Sequence, residues 1–293
     1  MSEPGTLPGV THAFDAATSV RAQGNGRYAA TLDPVWGVGE NLLNGGYLMA
    51  LGVRAALADG GHPDPLAVSA TFLRPLPAGE TVVSVHPLRT GRTVSSSRVS
   101  LGAQDSPSVD MQVTAATLTG GDPVWNDAAP PPIAAPEDCL RTAMPGAGPT
   151  PPGLTRVLDY AFDPDTSGFL TGTPGSAPLL NLWLRFTDGR PVDPLGLVLF
   201  CDACPPVAFA MGRFGWAPTV AMQVLIRAAP APGWCQVEAR ARSIGGGFSD
   251  EEVLVWDSSG TLVAQSRQVA VPPRTPLTSA RAAQATERRA GLA

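Results

Sequence analysis

Between residues 47 and 58 the chain reads YLMALGVRAALA, apolar on nearly every side, with Arg54 the one charge. A helix on a protein surface keeps a polar face, so a helix that is apolar all round has to be enclosed. The flanking sequence supplies the enclosure. RYAATLDPVW (27–36) precedes it as a short polar strand. After it, SATFLRPLPAGETVVSVHPL (69–88) reads as two strands around a Pro-Gly turn, GRTVSSSRVSL (91–101) as a third and SVDMQVTAATL (108–118) as a fourth, each near the usual strand length. The order strand, helix, strands predicts one helix wrapped by an antiparallel sheet.

The same layout recurs. Residues 120–153 are crowded with proline and lack periodicity, as a linker does. Beyond them come RVLDYAF (156–162), a middle section ending in DPLGLVLFCDACPPVAFAMG (193–212), and then TVAMQVLIRAAPAPGWCQVEARARS (219–243), GGGFSDEEVLVWD (245–257) and GTLVAQSRQVAVP (260–272). Arg74 closes SATFLR and Arg227 closes AMQVLIR; each leads into a Pro-Gly turn, a strand, and a glycine that opens the next strand. Two copies of one topology account for this. At 293 residues the chain is about twice the size of one ordinary domain. The expected organisation is a first unit at 1–120, a linker at 121–153, a second unit at 154–273 and a tail at 274–293.

Composition excludes several classes of partner. The net charge is −5 and no stretch clusters arginines with aromatics, which argues against nucleic acid. No window approaches ~18 consecutive apolar residues, and MSEPGTLPGV has neither the basic region nor the apolar core of a secretory signal. A soluble cytoplasmic protein with no membrane partner is expected. His12, His62 and His86 have no metal-ligand spacing, and the single CxxC at Cys201 and Cys204 has no second pair, so no metal is expected and the four cysteines read as free thiols. There is no G-x-S-x-G, hence no serine-hydrolase nucleophile elbow.

Three residues stand out once their surroundings are read. Asp202 precedes Ala203-Cys204-Pro205-Pro206, and prolines are tolerated in a first helical turn, so by itself it reads as a helix N-cap. Thr219 follows Pro218 at a strand start, where any β-branched residue fits. Gln268 says more: on a strand it shares a face with Leu262, Ala264, Ser266 and Ala270, a small and mostly apolar set that buries an amide and obliges it to find a partner.

Taken together, NGGYLMALGVRAA (44–56), SATFLRPLPAG (69–79) and GRTVSSSRV (91–99) in the first half, with LFCDACPPVA (199–208), PTVAMQVLIRA (218–228) and SSGTLVAQSRQVAVP (258–272) in the second, resemble the acyl-CoA thioesterase II group of double-hotdog thioesterases and its actinobacterial relatives. The resemblance implies an α+β fold, a tandem double hotdog in which each half wraps an antiparallel sheet around a long central helix and the halves pair through their sheet edges. It implies hydrolysis of acyl-CoA thioesters, with Asp202, Thr219 and Gln268 positioning the attacking water. Ala221, two positions after Thr219, departs from the further polar residue that the resemblance implies there. It implies no cofactor, coenzyme A entering only as part of the substrate; the substrate is an acyl-CoA or acyl-carrier thioester, and a homo-oligomer is compatible with it.

The residue types suit that chemistry. A thiol leaving group with a pKa of about 8.5 departs as thiolate without strong acid help, so attack is the step that needs assistance. An ionised carboxylate can take a proton from water while an amide and a hydroxyl hold that water in place. Backbone N–H groups at a helix N-terminus can stabilise the developing oxyanion; the two places expected to offer them are the helix start around Asp202 and the Asn44-Gly45-Gly46 lead-in, with Gly46 as the donor. Arg74, Arg89, Arg92 and Arg98 suit phosphate, though solvated surface positions explain them as well. Two other functions compete with hydrolysis: a non-hydrolytic acyl-thioester-binding protein or accessory protein of a biosynthetic pathway, and a hydratase, which the absence of a histidine after Asp202 disfavours.

Overall fold

The computed structural model describes residues 11–39, 42–120, 123–141, 152–273 and 275–276. Twelve of its strands form one continuous sheet: β1 Arg21–Gly24, β2 Arg27–Leu32, β3 Asp64–Phe72, β4 Gly79–Thr90, β5 Val94–Ala103, β6 Ser106–Ala116, β7 Leu158–Phe162, β8 Leu179–Phe186, β9 Thr219–Ile226, β10 Cys235–Gly245, β11 Phe248–Trp256 and β12 Leu262–Ala270. Their order across the sheet is β1-β2-β4-β5-β6-β3-β9-β12-β11-β10-β8-β7, with every pair antiparallel. The first six come from the first half of the chain and the last six repeat that order in mirror sequence. The halves meet at β3 and β9, where Val68 lies opposite Val224, so each covers the edge the other would expose.

Among the described residues three α-helices accompany this sheet: α1 Ala13–Ala17, α2 Gly45–Asp59 and α3 Pro194–Phe200. The enclosed helix read from the sequence is α2, in which Gly46 to Val53, Ala55 and Ala56 are all buried. Arg54 escapes burial of its charge by pairing with Asp15 at 2.9 Å and the Thr18 hydroxyl at 3.0 Å. The expectation of a long helix in each half holds for the first half only. In the second, Asp193 caps the Gly196 N–H at 2.7 Å, Pro194 takes the first helical position, and the helix ends after seven residues. Arg190 holds both Asp15 and Asp193, tying α1 to the start of α3.

The described part of the proline-rich segment lies along the second-half sheet. Its carbonyls accept from side chains of three strands: Ala134 from Trp183, Ala128 from Trp256 and Pro131 from Gln236. Leu140 bridges to Phe162. Strands β1 and β8 were not singled out in the sequence. Apart from the two-residue strand Thr275–Pro276, the tail expected at 274–293 lies outside the described residues. Among the described residues no helix is long and apolar enough to cross a membrane, and the four cysteines are free.

Candidate active site

A helix leaves its last carbonyls without intrahelical partners, and Pro205-Pro206 prevent α3 from continuing. The chain therefore turns, and three consecutive carbonyls at the turn find side-chain donors from three directions: Cys201 from the Ser266 hydroxyl on β12 at 3.1 Å, Asp202 from the Asn44 amide at 2.9 Å and Ala203 from the Tyr160 hydroxyl on β7 at 3.0 Å. This fixes the backbone of Asp202 rigidly. Asp202 does not begin the second-half helix, as its Ala-Cys-Pro-Pro context suggested; it follows the end of that helix, and Asp193 is the true cap.

The carboxylate of Asp202 instead reaches across to the N-terminus of α2 in the first half. Its Oδ2 accepts from the Gly46 N–H at 2.7 Å and from Asn44 Nδ2 at 3.0 Å. Asn44 is the N-cap of α2, its Oδ1 accepting from the Tyr47 N–H at 2.9 Å. This approach leaves little room for a Cβ at the two following positions: one on Gly45 would stand 2.8 Å from Phe72 Cζ and 3.0 Å from Asp202 Oδ2, and one on Gly46 would stand 2.8 Å from Asp202 Cβ. Burial pushes the Asp202 carboxyl up, the Gly46, Asn44 and Gly45 donors pull it back, and it settles at about 6. It is thus mostly ionised at neutral pH yet basic enough to accept a proton. The Gly46 N–H, expected to face a substrate carbonyl, is taken by this carboxylate.

Thr219 opens β9 beside a bulge, and its hydroxyl donates to Gln268 Oε1 on β12 at 2.9 Å. Gln268 Nε2 donates in turn to Glu251 Oε2 on β11 at 3.2 Å, across the Glu251–Gln268 register pair. Asp202, Thr219, Gln268 and Glu251 all line one cavity of about 390 Å³, within the range of small-molecule sites. Its other walls are largely apolar, including Leu43, Leu48, Phe72, Leu76 and Phe209. Thr219 and Gln268 are in direct hydrogen bond; Asp202 shares their cavity without a bond to either.

Family models match both halves. One, described as the acyl-CoA thioesterase N-terminal domain, matches residues 32–120, and another, the acyl-CoA thioesterase C-terminal domain, matches residues 136–271. The chain belongs to the acyl-CoA thioesterase family. An uncharacterized protein of Mycobacterium tuberculosis is 33% identical over 272 residues, covering 84% of this chain and 91% of its own. Among solved structures, a candidate thioesterase II from Thermobifida fusca superposes with a TM-score of 0.82 at 32% identity, covering 92% of this chain and all of that one (100%). A hotdog-fold protein of unknown function from Alicyclobacillus acidocaldarius gives a TM-score of 0.79 at 22% identity, over 92% of this chain and 100% of that one, and bears on fold alone. The fold is a hotdog fold.

Glu251 is the cavity residue that sequence reasoning missed. It is 6% exposed, a depth at which carboxylates are rare. Burial raises its carboxyl to about 7 against the opposing pull of the Gln268 donor and the Val207 N–H. A signal for it exists in FSDEEVLVW: Glu251 is in phase with Val253 and Val255, which are buried, so the strand's own alternation points an acid inward.

Proposed function

We propose that this protein hydrolyses acyl-CoA thioesters to the free acid and coenzyme A, and that it does so as a tandem double hotdog with one working site, on the second half. Asp202 acts as general base, and Thr219 and Gln268 position the water that attacks the thioester carbonyl. What carries this reading is the joint presence, in one largely apolar cavity, of the hydrogen-bonded Thr219–Gln268 pair and of a carboxylate held on a helix N-terminus. Asp202 Oδ2 is committed to Gly46 and Asn44, which leaves Oδ1 to take the proton. Because the Thr219 proton goes to Gln268, the Thr219 oxygen remains an acceptor for the second hydrogen of the same water. The apolar walls suit an acyl chain, and Arg74 at the rim, bonded to the Ser106 hydroxyl, offers a guanidinium to the phosphates of coenzyme A. The thiolate leaves unaided.

The test is thiol release from acyl-CoAs of rising chain length. Steady turnover is expected, falling by roughly 10² or more in Asp202→Asn and in Gln268→Ala. Folded protein that releases no thiol from any chain length, while gaining thermal stability with acyl-CoA, would overturn the hydrolase in favour of a binding protein.

A further inference from the structure

Glu251 has no place in the water-positioning set just described, yet it occupies the end of that set's hydrogen-bond chain. Its carboxylate accepts from Gln268 Nε2 at 3.2 Å and, at 3.4 Å, from the Ser249 hydroxyl, and the Val207 N–H favours its ionised form. An ionised carboxylate can only accept. It therefore compels Gln268 to present its NH2 toward β11 and its oxygen toward Thr219, and that oxygen in turn compels the Thr219 hydroxyl to donate away from the cavity. Protonation removes that constraint and allows the chain to reverse. A Glu251 carboxylic acid can donate to Gln268 Oε1, the turned amide then donates to the Thr219 oxygen, and Thr219 offers its proton to the water instead of a lone pair.

We propose that Glu251 is a positioning residue whose ionised form sets the direction of the Thr219–Gln268–Glu251 chain, so that Thr219 presents an acceptor to the attacking water. The proposal rests on the hydrolase reading for its consequence in turnover. The direction of the chain itself is a property of the protein alone. Two titratable groups face Glu251 from the turn after α3, Asp202 and Cys204. The remaining neighbours are the neutral Gln268 of β12, Ser249 of its own strand and the Val207 N–H. The nearby arginines pair elsewhere: Arg240 and Arg242 with Glu252, and Arg267 with Asp250. Burial above all, with the like charge of Asp202 adding to it and no cation among the described residues paired with it, brings Glu251 close to neutrality, at about 7.

Two readouts separate the proposal from the function it serves. In ¹⁵N-labelled protein, the side-chain amide resonances of Gln268, assigned by their loss in Gln268→Leu, should shift with a midpoint of about 7. That inflection should vanish in Glu251→Gln and survive in Asp202→Asn. In turnover, log kcat/KM of the wild type should fall more steeply than slope one between about pH 7 and about pH 6, where Glu251 and then Asp202 take protons, and with a slope no greater than one throughout in Glu251→Gln on the same substrate. The variant should also lose roughly tenfold in kcat with KM nearly unchanged. If Glu251→Gln does not fold, Glu251→Asp serves, and should keep an inflection that Gln268 reports. An amide that does not titrate, or that follows Asp202, overturns the proposal whether or not the protein hydrolyses thioesters. An amide that titrates as expected beside a wild type without turnover sustains the direction of the chain and overturns only the hydrolase reading; an unchanged acid slope in a folded, active variant overturns the link to catalysis.

Discussion

The two halves share a strand order and divide the work. When they are matched at the bulges that interrupt β3 near Leu66 and β9 near Val220, Thr219 corresponds to Pro65, Gln268 to Val113 and Glu251 to Ser97. The first half thus holds a ring, an isopropyl group and a small hydroxyl where the second holds a hydroxyl, an amide and a carboxylate. In exchange the first half keeps the long helix. Its fifteen residues present an N-terminus that receives Asp202, whereas α3 stops after seven and the chain that follows it carries the aspartate. Neither half contains the proposed site by itself. A long enclosed helix supplies an oriented positive end, and a helix cut short by Pro205-Pro206 frees a turn on which an acid can be aimed at it.

The sharpest way to break this division is at the contact between the halves. Gly46→Ala places a Cβ 2.8 Å from Asp202 Cβ and 3.0 Å from the Leu199 carbonyl, both on rigid backbone. Asp202 has to move, and displacement of a reacting group by about 1 Å costs on the order of 10²-fold. The expected result is a loss of roughly 10²-fold in kcat, with a folded protein whose helix content is undiminished, since alanine favours helix over glycine. Steady-state thiol release beside circular dichroism checks it; unchanged kcat would mean that the Gly46–Asp202 bond is incidental.

A second substitution asks whether the first half could carry the amide. Val113 is 1% exposed, and its neighbours Pro65 and Ser97 cannot reproduce Thr219 and Glu251. Val113→Gln should bury an amide without the partners Gln268 has, destabilising the protein by about 2 kcal/mol. Chemical denaturation measures this. A neutral result would show that the first half retains hidden polar partners and that its divergence from the second is shallower than the side chains suggest.

The strands and the enclosed helix were legible because their signals are local. Alternation in TVAMQVLI and LVAQSRQVA is set by the pleat, and a helix apolar all round leaves no other packing. Gln268 was legible for the same reason, since its in-phase neighbours are small and apolar, and it does have partners, Thr219 and Glu251. The position of Asp202 was misread because two acid-proline signals lie within fourteen residues, Asp193-Pro194 and Asp202 before Pro205-Pro206, and only the first caps a helix. What then decides the place of Asp202 is a set of bonds to Asn44 and Gly46, more than 150 residues away in sequence, which no local pattern records. The first-half counterpart of Gln268, Val113, emerges only from the pairing of the strands, because the bulges that align the two halves leave no mark in hydropathy.

Asn44 allows the finest test, because one side chain serves both halves. Its Oδ1 caps α2, and its Nδ2 holds the carbonyl and carboxylate of Asp202. Asn44→Asp keeps a capping oxygen, and aspartate caps as well as asparagine, so stability should change little on that account. The donor, however, becomes an acceptor facing two oxygens. A like charge beside Asp202 raises its carboxyl further above about 6, so the base is protonated at higher pH and the acid limb of kcat/KM moves up, by roughly tenfold in proton concentration. Asn44→Ser also caps but adds no charge, and should move the limb less. If both variants shifted the profile equally, loss of the donor alone would account for the effect. If neither did, Asp202 would owe its basicity to burial and Gly46, and the first half would contribute only a backbone N–H to the chemistry of the second.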